Sequence, residues 1–447
     1  MLSLYGRSHT LCDGISRRSA LKIGALAFGA STQFTLADVL RAEQSLGRTS
    51  HKAVINIFLG GGPPHQDMWE IKTEAPADVK GEFKPISTKV PGIQIGECFP
   101  KIASMADKFA FIRSVVGARG GHDGIQCTTG RDEQAFRAMG GWPSMGALLS
   151  KMYGPVDLAV PPFVGLAAKT QHGPWGDSGK PGFLGAPFTA FKPEGNGMSD
   201  MKLNGVNKDQ LGDRKTLLTN FDRLRREVDA NQALRGADSA TEKALDVLTS
   251  SRLIEALDVS KEPEKVRARY GDGKPYQFQY DGAPTCNDQL LMARRLVEAG
   301  ARCVTLSYGR WDSHGKNFDL VRDHGAKLDQ GVTALVEDLD ARGMLNDVTV
   351  IAWGEFGRTP RINKDAGRDH WPQVSCALLA GGNLKTGQAI GSTNRLGEHA
   401  ATRPVTFGEI FATLWQSMGI NPETTTINDP TGRPQHLAEG KVIRELV

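Results

Sequence analysis

The sequence has few of the features that mark membrane or nucleic-acid-binding proteins. After residue 40 it contains no run of 18 apolar residues, so we expect no stable membrane anchor in the mature chain. The formal net charge is only +4 over 447 residues, which gives no strongly basic surface and argues against nucleic acid as a partner. Internal repeats and low-complexity tracts are also missing. These absences leave a globular, loop-rich chain, in keeping with its 52 glycines.

Cysteine pairs are missing as well. None of the six cysteines belongs to a Cys-x-x-Cys motif, and Cys12 lies in an N-terminal segment that we expect to be removed. The remaining five are an odd number, which favours buried free thiols that act as small apolar side chains. A disulfide between two of them after export stays open, because the sequence does not select a pair.

The N-terminus carries a basic doublet ahead of an apolar run. Arg17 and Arg18 are followed by a hydrophobe, Leu21, and by mildly apolar residues 23–30 that are too few to span a bilayer. This pattern resembles a twin-arginine signal, although a chance doublet before an amphipathic helix is the alternative. We expect residues 1–42 to be signal peptide and linker, and the mature protein to be periplasmic or secreted. Twin-arginine export carries folded proteins, often with a metal already bound.

Apolar runs and helical segments alternate through the rest of the chain. Residues 53–59 form a continuous apolar run that ends in glycines, which is typical of a strand buried on both faces. Further strands are predicted over residues 110–115, 303–307, 348–353 and 375–380, and helices over 101–109, 288–299, 318–343 and 407–418. The alternation predicts one α/β domain over residues 48–447, with a mostly parallel sheet and helices on both faces.

A polar stretch interrupts this alternation. Leu217, Phe221, Leu224 and Val228 recur at helical spacing and predict one buried stripe. We interpret residues 205–260 as a helical insertion or cap without chemistry of its own.

Acidic residues and histidines follow the ends of several predicted strands, where open α/β sheets place their sites. The candidate metal ligands in these loops are His65, Asp67, Asp312, His314, Glu355 and His370. Such a set suits a divalent metal, which polarises an ester oxygen and activates water. In the alternative reading, a His-x-Asp pair only stabilises its loop, Arg358 pairs with Glu355, and Arg368 pairs with Asp369. Acidic residues and histidines follow four separate strand ends, and this number favours a metal site over isolated loop contacts.

Four phrases of the sequence together resemble the domain-of-unknown-function 1501 family. They are Gly-Gly-Gly-x-x-His-x-Asp at 60–67, Trp-Asp-Ser-His-Gly at 311–315, Gly-Glu-Phe-Gly-Arg-Thr-Pro at 354–360 and Gly-Arg-Asp-His-Trp-Pro at 367–372. The resemblance covers about residues 48–420 and implies the alkaline phosphatase/sulfatase superfamily. That superfamily implies a parallel sheet, two metals that clamp a sulfate or phosphate ester, and a Ser, Thr or formylglycine nucleophile.

The resemblance also implies roles for single residues. Asp67 is similar to the acid after the first strand, and Asp312 with His314 is similar to the Asp and His ligands of the first metal. Glu355 takes the place of the Asp in an Asp-His pair, and His370 that of the last His ligand. The spacing between Asp312 and His314 is two residues, where the superfamily usually has four.

Two departures affect the chemistry. Phe356 stands where a His ligand is expected, and no clear nucleophile follows the second strand, where residues 120–124 read Gly-Gly-His-Asp-Gly. His122 or Asp123 is then a metal ligand or base, and Thr128 or Thr129 a displaced nucleophile.

The sequence therefore predicts an exported hydrolase of sulfate or phosphate esters that uses a divalent metal (Zn, Mn, Ca or Mg) of undetermined identity and count. Its substrate is a small-molecule or polysaccharide ester, and water attacks directly. The candidate catalytic residues are His122, Asp123 and Arg358. The alternative is a non-catalytic relative that binds polysaccharide or a partner protein in the same cleft.

Overall fold

A computed structural model describes residues 51–167, 170–193, 251–276 and 282–447. The expected signal over residues 1–42, and most of the expected insertion over 205–260, lie outside these residues. Within the described part, no helix combines the length and the apolar character needed to cross a bilayer.

One eight-stranded sheet forms the centre of the fold. Its strands are β1 (Ala53–Phe58), β2 (Phe109–Val116), β3 (Phe163–Gly165), β4 (Cys303–Ser307), β5 (Val348–Trp353), β6 (Ser375–Gly381), β7 (Gln388–Ile390) and β8 (Val405–Thr406). The order across the sheet is β7-β2-β6-β5-β1-β4-β3, with β8 also paired to β2. The central strands β1, β4 and β5 coincide closely with predicted strands because each is a continuous apolar run buried on both faces.

The sheet is parallel except at one strand. β1 pairs in parallel with β4 and β5, whereas β6 runs antiparallel between β5 and β2. The predicted mixed α/β class with a mostly parallel sheet is therefore confirmed. Because β6 is reversed, the loop that precedes it lies at the same edge as the carboxyl ends of β1, β2, β4 and β5.

Helices cover both faces of this sheet. The described α-helices are α1 (His65–Met68), α2 (Ala77–Lys80), α3 (Pro100–Ser104), α4 (Ile125–Thr129), α5 (Met145–Tyr153), α6 (Ser251–Leu257), α7 (Glu264–Tyr270), α8 (Asn287–Ala299), α9 (Asn317–Ala341) and α10 (Phe407–Ser417). Ile55 and Ile57 of β1 belong to one apolar core with residues of α8 and α9. Val54 and Phe58 belong to a second core with residues of α5 and α10. Alternate side chains of one strand thus serve two cores.

Short two-stranded hairpins complete the fold. They pair Pro85–Ser87 with Gln94–Gly96, Gly357–Arg358 with His370–Trp371, Ser392–Thr393 with Ala400–Thr402, and Thr426–Asn428 with Pro434–His436. The second of these hairpins joins the two loops that contain the candidate residues Arg358 and His370.

One predicted helix is shorter than expected. Residues 101–109 form α3 followed by the 3₁₀ turn Ala106–Lys108, and Phe109 already belongs to β2. Phe109 pairs with Ala380 of β6 and is fully buried, so tertiary pairing outweighs its place at the end of a helical pattern.

Candidate metal centre

Five loops meet at the carboxyl edge of the central sheet. Three follow β1, β4 and β5, one follows β2, and one precedes the reversed strand β6. These loops bring together His122, Asp312, His314 and His370, with Glu355 directly beside them. Ligand atoms of His122, Asp312 and His370 all lie within 4.8 Å of one another. This cluster combines oxygen and nitrogen donors from chain segments that are distant in sequence.

Three donor atoms form a nearly equilateral triangle. Asp312 Oδ1 lies 3.0 Å from His314 Nε2 and 3.2 Å from His370 Nε2, and the two Nε2 atoms are 3.1 Å apart. Ligand atoms about 2.0–2.2 Å from one ion lie roughly 3.0–3.5 Å from each other. The triangle therefore has the dimensions of one face of a metal coordination shell.

The second nitrogen of each of these histidines is held by an acceptor. His314 Nδ1 donates to Asp369 Oδ1 at 2.6 Å, and His370 Nδ1 donates to the carbonyl oxygen of Gly120 at 3.0 Å. With the protons on Nδ1, both Nε2 atoms present lone pairs to the same point. Such an outer hydrogen bond is what fixes the orientation of metal-binding histidines.

His122 lies between the triangle and a buried carboxylate. Its Nδ1 is 3.3 Å from Glu355 Oε1, and its Nε2 is 3.7 Å from Asp312 Oδ2. Glu355 Oε1 also accepts hydrogen bonds from the amide of Gly61 and from Trp175 Nε1. Its other oxygen, Oε2, is buried without a hydrogen-bond partner, a position that a cation or a water molecule would satisfy.

Asp312 is held in its ionised form. Burial by itself raises the pKa of this carboxyl, but the charge and the hydrogen bond of Arg358, together with the other polar contacts of Asp312, outweigh burial. The pKa of Asp312 therefore lies well below its ordinary value, and the group is an anion at neutral pH. Arg310 also contacts Asp312, through the main-chain oxygen and at 3.3 Å through Oδ2.

Arg358 connects the loops of the cluster. Its side chain is fully buried, and its Nε donates to the oxygen of Gly62 at 3.1 Å while Nη1 donates to that of Arg368 at 3.0 Å. Nη2 donates to the oxygen of Gly61 and to Asp312 Oδ1. All three nitrogens are bonded to protein groups. In this arrangement Arg358 holds the loops after β1, β4 and β5 together, and its positive charge stabilises the Asp312 carboxylate.

The glycine loop after β1 approaches the cluster more closely than a side chain permits. Gly61 has φ +100°, and a Cβ there would lie 2.4 Å from the amide nitrogen of Asp312. Gly62 has φ +82°, and its Cβ would meet Phe356. Both positions require glycine, because the positive φ is unfavourable for other residues and because a Cβ would clash. Phe356 itself packs its buried ring against His370, with 4.4 Å between ring centroids, and binds no metal.

Asp67 lies outside the four-residue cluster. Its two oxygens accept hydrogen bonds from Arg368 Nη2 at 2.9 Å and Nε at 2.7 Å, and from Asn317 Nδ2 at 2.8 Å. Both charged side chains of this pair are fully buried. The structure thus pairs Arg368 with Asp67, and Arg358 with Asp312, instead of the alternative pairs with Asp369 and Glu355.

His65 is also outside the cluster. It is fully buried near Lys72 and Gly397, and neither ring nitrogen has a hydrogen-bond partner. Burial, with the charges of Lys72 and Arg368, lowers the pKa of His65 to about 3. The ring is therefore neutral throughout the physiological range.

The remaining candidates line a cavity next to the cluster. Asp123 is half-buried, and burial raises the pKa of its carboxyl, with smaller contributions from neighbouring acids. Thr128 and Thr129 both donate their hydroxyls to the oxygen of Ile125, at 3.1 and 2.7 Å. Both hydroxyls are therefore engaged with their own helix.

Sequence reasoning missed three groups of this site. His172 and Trp175 stack against His122, with ring centroids 4.8 and 4.9 Å away. They follow β3, which has only three residues and gives no periodic pattern. Asp369 was considered only as a partner of Arg368, although its carboxylate contacts His314. Whether the side chain of a loop residue such as Asp369 points to one neighbour or another cannot be predicted from the sequence.

The sequence profile of the family described as "Protein of unknown function (DUF1501)" matches residues 51–447, so the chain belongs to this family. No curated protein matches the sequence.

Solved structures show only distant likeness. The crystal structure of Ps i-CgsB in complex with k-i-k-neocarrahexaose is 13% identical, with a TM-score of 0.33 over 83% of this chain and 72% of that one. The crystal structure of the PsFucS1 sulfatase from Pseudoalteromonas sp. is 15% identical, with a TM-score of 0.34 over 87% and 72%.

Proposed function

We propose that the protein is a metal-dependent hydrolase of sulfate or phosphate esters. The observation that carries this proposal is the triangle of Asp312 Oδ1, His314 Nε2 and His370 Nε2, with edges of 3.0, 3.1 and 3.2 Å. Both histidines donate Nδ1 to other acceptors, so two nitrogen lone pairs and an anionic oxygen face one point. A divalent cation is the species that this set of donors stabilises.

Asp312, His314 and His370 would hold the ion, and two imidazole nitrogens with one carboxylate suit Zn or Mn better than Ca or Mg, which prefer oxygen ligands. The ion would supply polarisation of an ester oxygen and acidification of water. Arg310 and Arg358 offset two of the three carboxylate charges of Asp312, Glu355 and Asp369, so a divalent ion would leave the site with a net charge of about +1. A net positive site is complementary to an anionic ester.

Water is the proposed attacking group. The hydroxyls of Thr128 and Thr129 are bound to the backbone of their helix, and Phe356 offers no donor atom. His122 Nε2 is placed beside Asp312, while Glu355 holds Nδ1. In this arrangement His122 accepts a proton from the attacking water at Nε2, and Glu355 stabilises the resulting imidazolium.

The proposal also covers the superfamily of the protein and its location in the cell. A site at the carboxyl edge of a mostly parallel sheet supports placement in the alkaline phosphatase/sulfatase superfamily. The doublet Arg17-Arg18 supports export by the twin-arginine route to the periplasm or beyond.

Metal analysis together with an ester panel tests the function. Wild-type protein and the control variant His436→Ala, which alters an exposed histidine outside the cluster, should carry stoichiometric metal and hydrolyse an aryl sulfate or phosphate. His314→Ala should lose both properties. A metal-free wild type would refute the proposal, and a metal-loaded wild type that hydrolyses no ester would favour the binding alternative.

A further inference from the structure

A cavity of about 610 Å³ lies next to the metal centre. One wall consists of Asp123, Gly124 and Ile125, and another contains Gly173 and Pro174. The first wall begins directly after His122, and the second directly after His172. The volume falls in the range of small-molecule binding sites.

A small group of aromatic rings adjoins both the cluster and the segments that line the cavity. The rings of His122 and His172 contact each other at 4.8 Å between centroids, and His172 contacts Trp175 at 4.5 Å. His122 is also the ring that faces Asp312 and Glu355. The proposed proton-accepting side chain therefore directly precedes, in the chain, the first residue of the cavity wall.

The cavity has an acidic lining. Its charged residues are Asp123, Asp132, Glu133, Asp177, Arg137 and Lys180. Lys180 lies 3.9 Å from Asp177, and Arg119 pairs with Asp132. Within the described ranges, Asp123 and Glu133 form no ion pair with a basic side chain.

We propose that this cavity binds the organic part of the substrate, and that this part is a hydroxyl-rich group with either no charge or a cationic amine. That this group is part of the substrate rests on the proposed function. That the cavity binds such a group does not depend on it. Carboxylates without a basic partner accept hydrogen bonds from hydroxyl and ammonium groups. The same carboxylates repel a group with further anionic substituents, so a polyanionic sugar is a poor occupant.

Direct binding of three matched sugars tests this cavity. Methyl glucosaminide, methyl glucoside and methyl glucuronide share one ring and differ in charge, and their affinities can be measured by titration calorimetry. The glucuronide should bind about fivefold more weakly than the glucoside, and the glucosaminide at least as tightly as the glucoside. Equal affinity for glucuronide and glucoside, or no binding of any of the three sugars, would overturn the proposal.

Variants that remove a carboxylate charge test whether Asp123 and Glu133 cause the discrimination between these sugars. The double variant Asp123→Asn/Glu133→Gln should reduce the discrimination between glucosaminide and glucuronide by about fivefold, with unchanged metal content. Glu133→Gln alone, at an exposed position, should give part of this change if the double variant folds poorly. Glu264→Gln, which removes an exposed charge far from the lining, should have no effect. Unaltered discrimination in both Glu133 variants would contradict the assignment.

A third variant separates the cavity from catalysis. His314→Ala should bind the sugars with wild-type selectivity, because His314 is not part of the lining. Retained binding in a wild type without ester hydrolysis would refute the proposed function alone. Ester hydrolysis without sugar binding would refute the cavity proposal alone.

Discussion

His314 Nδ1 donates a 2.6 Å hydrogen bond to Asp369 Oδ1, and this contact turns His314 Nε2 towards Asp312 and His370. Both members of the pair are about half exposed, at 48% and 52% of their side-chain surface. The hydrogen bond of His314 also lowers the pKa of Asp369, which keeps this acceptor anionic.

The contact predicts a role for Asp369 in metal affinity. Asp369→Ala should weaken metal binding about tenfold, because outer hydrogen bonds of this kind contribute ten- to a hundredfold and this pair is solvent-exposed. Competition with a chelating dye measures the affinity. Asp365→Ala, an exposed acid of the same loop, is the control and should bind metal like the wild type. Unchanged affinity in Asp369→Ala would mean that other contacts orient His314.

Arg358 should be a large contributor to stability. Arg358→Met leaves the Asp312 carboxylate and three carbonyl oxygens without their buried donor, so we expect a loss of about 3–5 kcal/mol in the free energy of unfolding. Urea denaturation measures this loss. Arg361→Met removes an arginine that is 83% exposed and should change the free energy by less than about 0.5 kcal/mol. Similar values for both variants would contradict the proposed role.

Burial of His65 should make the fold sensitive to acid. Its pKa is about 3 in the folded chain and about 6.5 when unfolded, so the unfolded chain binds the extra proton as pH falls below 6.5. Stability is thus complete above pH 6.5 and decreases towards pH 3. From pH 7.5 to 5.0 this group should account for about 2 kcal/mol of lost stability.

The variant His65→Gln isolates this effect. Its free energy of unfolding should decrease by about 2 kcal/mol less than that of the wild type over the same pH interval. Denaturation curves at pH 7.5 and 5.0 give the comparison. An identical decrease in both proteins would show that His65 is already protonated or exposed in the folded state.

Direct attack by water predicts that no covalent intermediate forms on the chain. Rapid acid quench of the reaction, followed by mass spectrometry of the peptide that contains Thr128 and Thr129, should detect no sulfated or phosphorylated residue. The expectation follows from the hydrogen bonds of both hydroxyls to Ile125. A modified threonine that forms and decays at the rate of turnover would establish covalent catalysis instead.

Export should depend on the arginine doublet. Replacing Arg17 and Arg18 by lysine keeps the charge but removes the pair that the twin-arginine receptor reads, so precursor should accumulate in the cytoplasm. Cell fractionation followed by immunoblotting distinguishes precursor from mature protein. Arg7→Lys, upstream of the doublet, is the matched control and should leave export normal. Normal periplasmic accumulation of the doublet variant would remove the signal assignment.

The central strands were predictable because strands buried on both faces appear as unbroken apolar runs. Residues 303–307 and 348–353 match β4 and β5 for this reason. The convergence of Asp312, His314 and His370 was predictable in outline, since parallel strands end at one edge. The reversal of β6, which brings the His370 loop to that edge, depends on pairing with β2 and β5. Such long-range pairing is not encoded in the local pattern.

The position of β1 has a consequence for the order of folding. β1 pairs with β4, about 250 positions later, and with β5, about 295 positions later, so closing this part of the sheet requires the ends of very long loops to meet. The side chains of the candidate metal centre extend from the loops that these pairings bring together. The metal binding that we propose can therefore arise only after the sheet has assembled, and during refolding it should appear with the slowest phase.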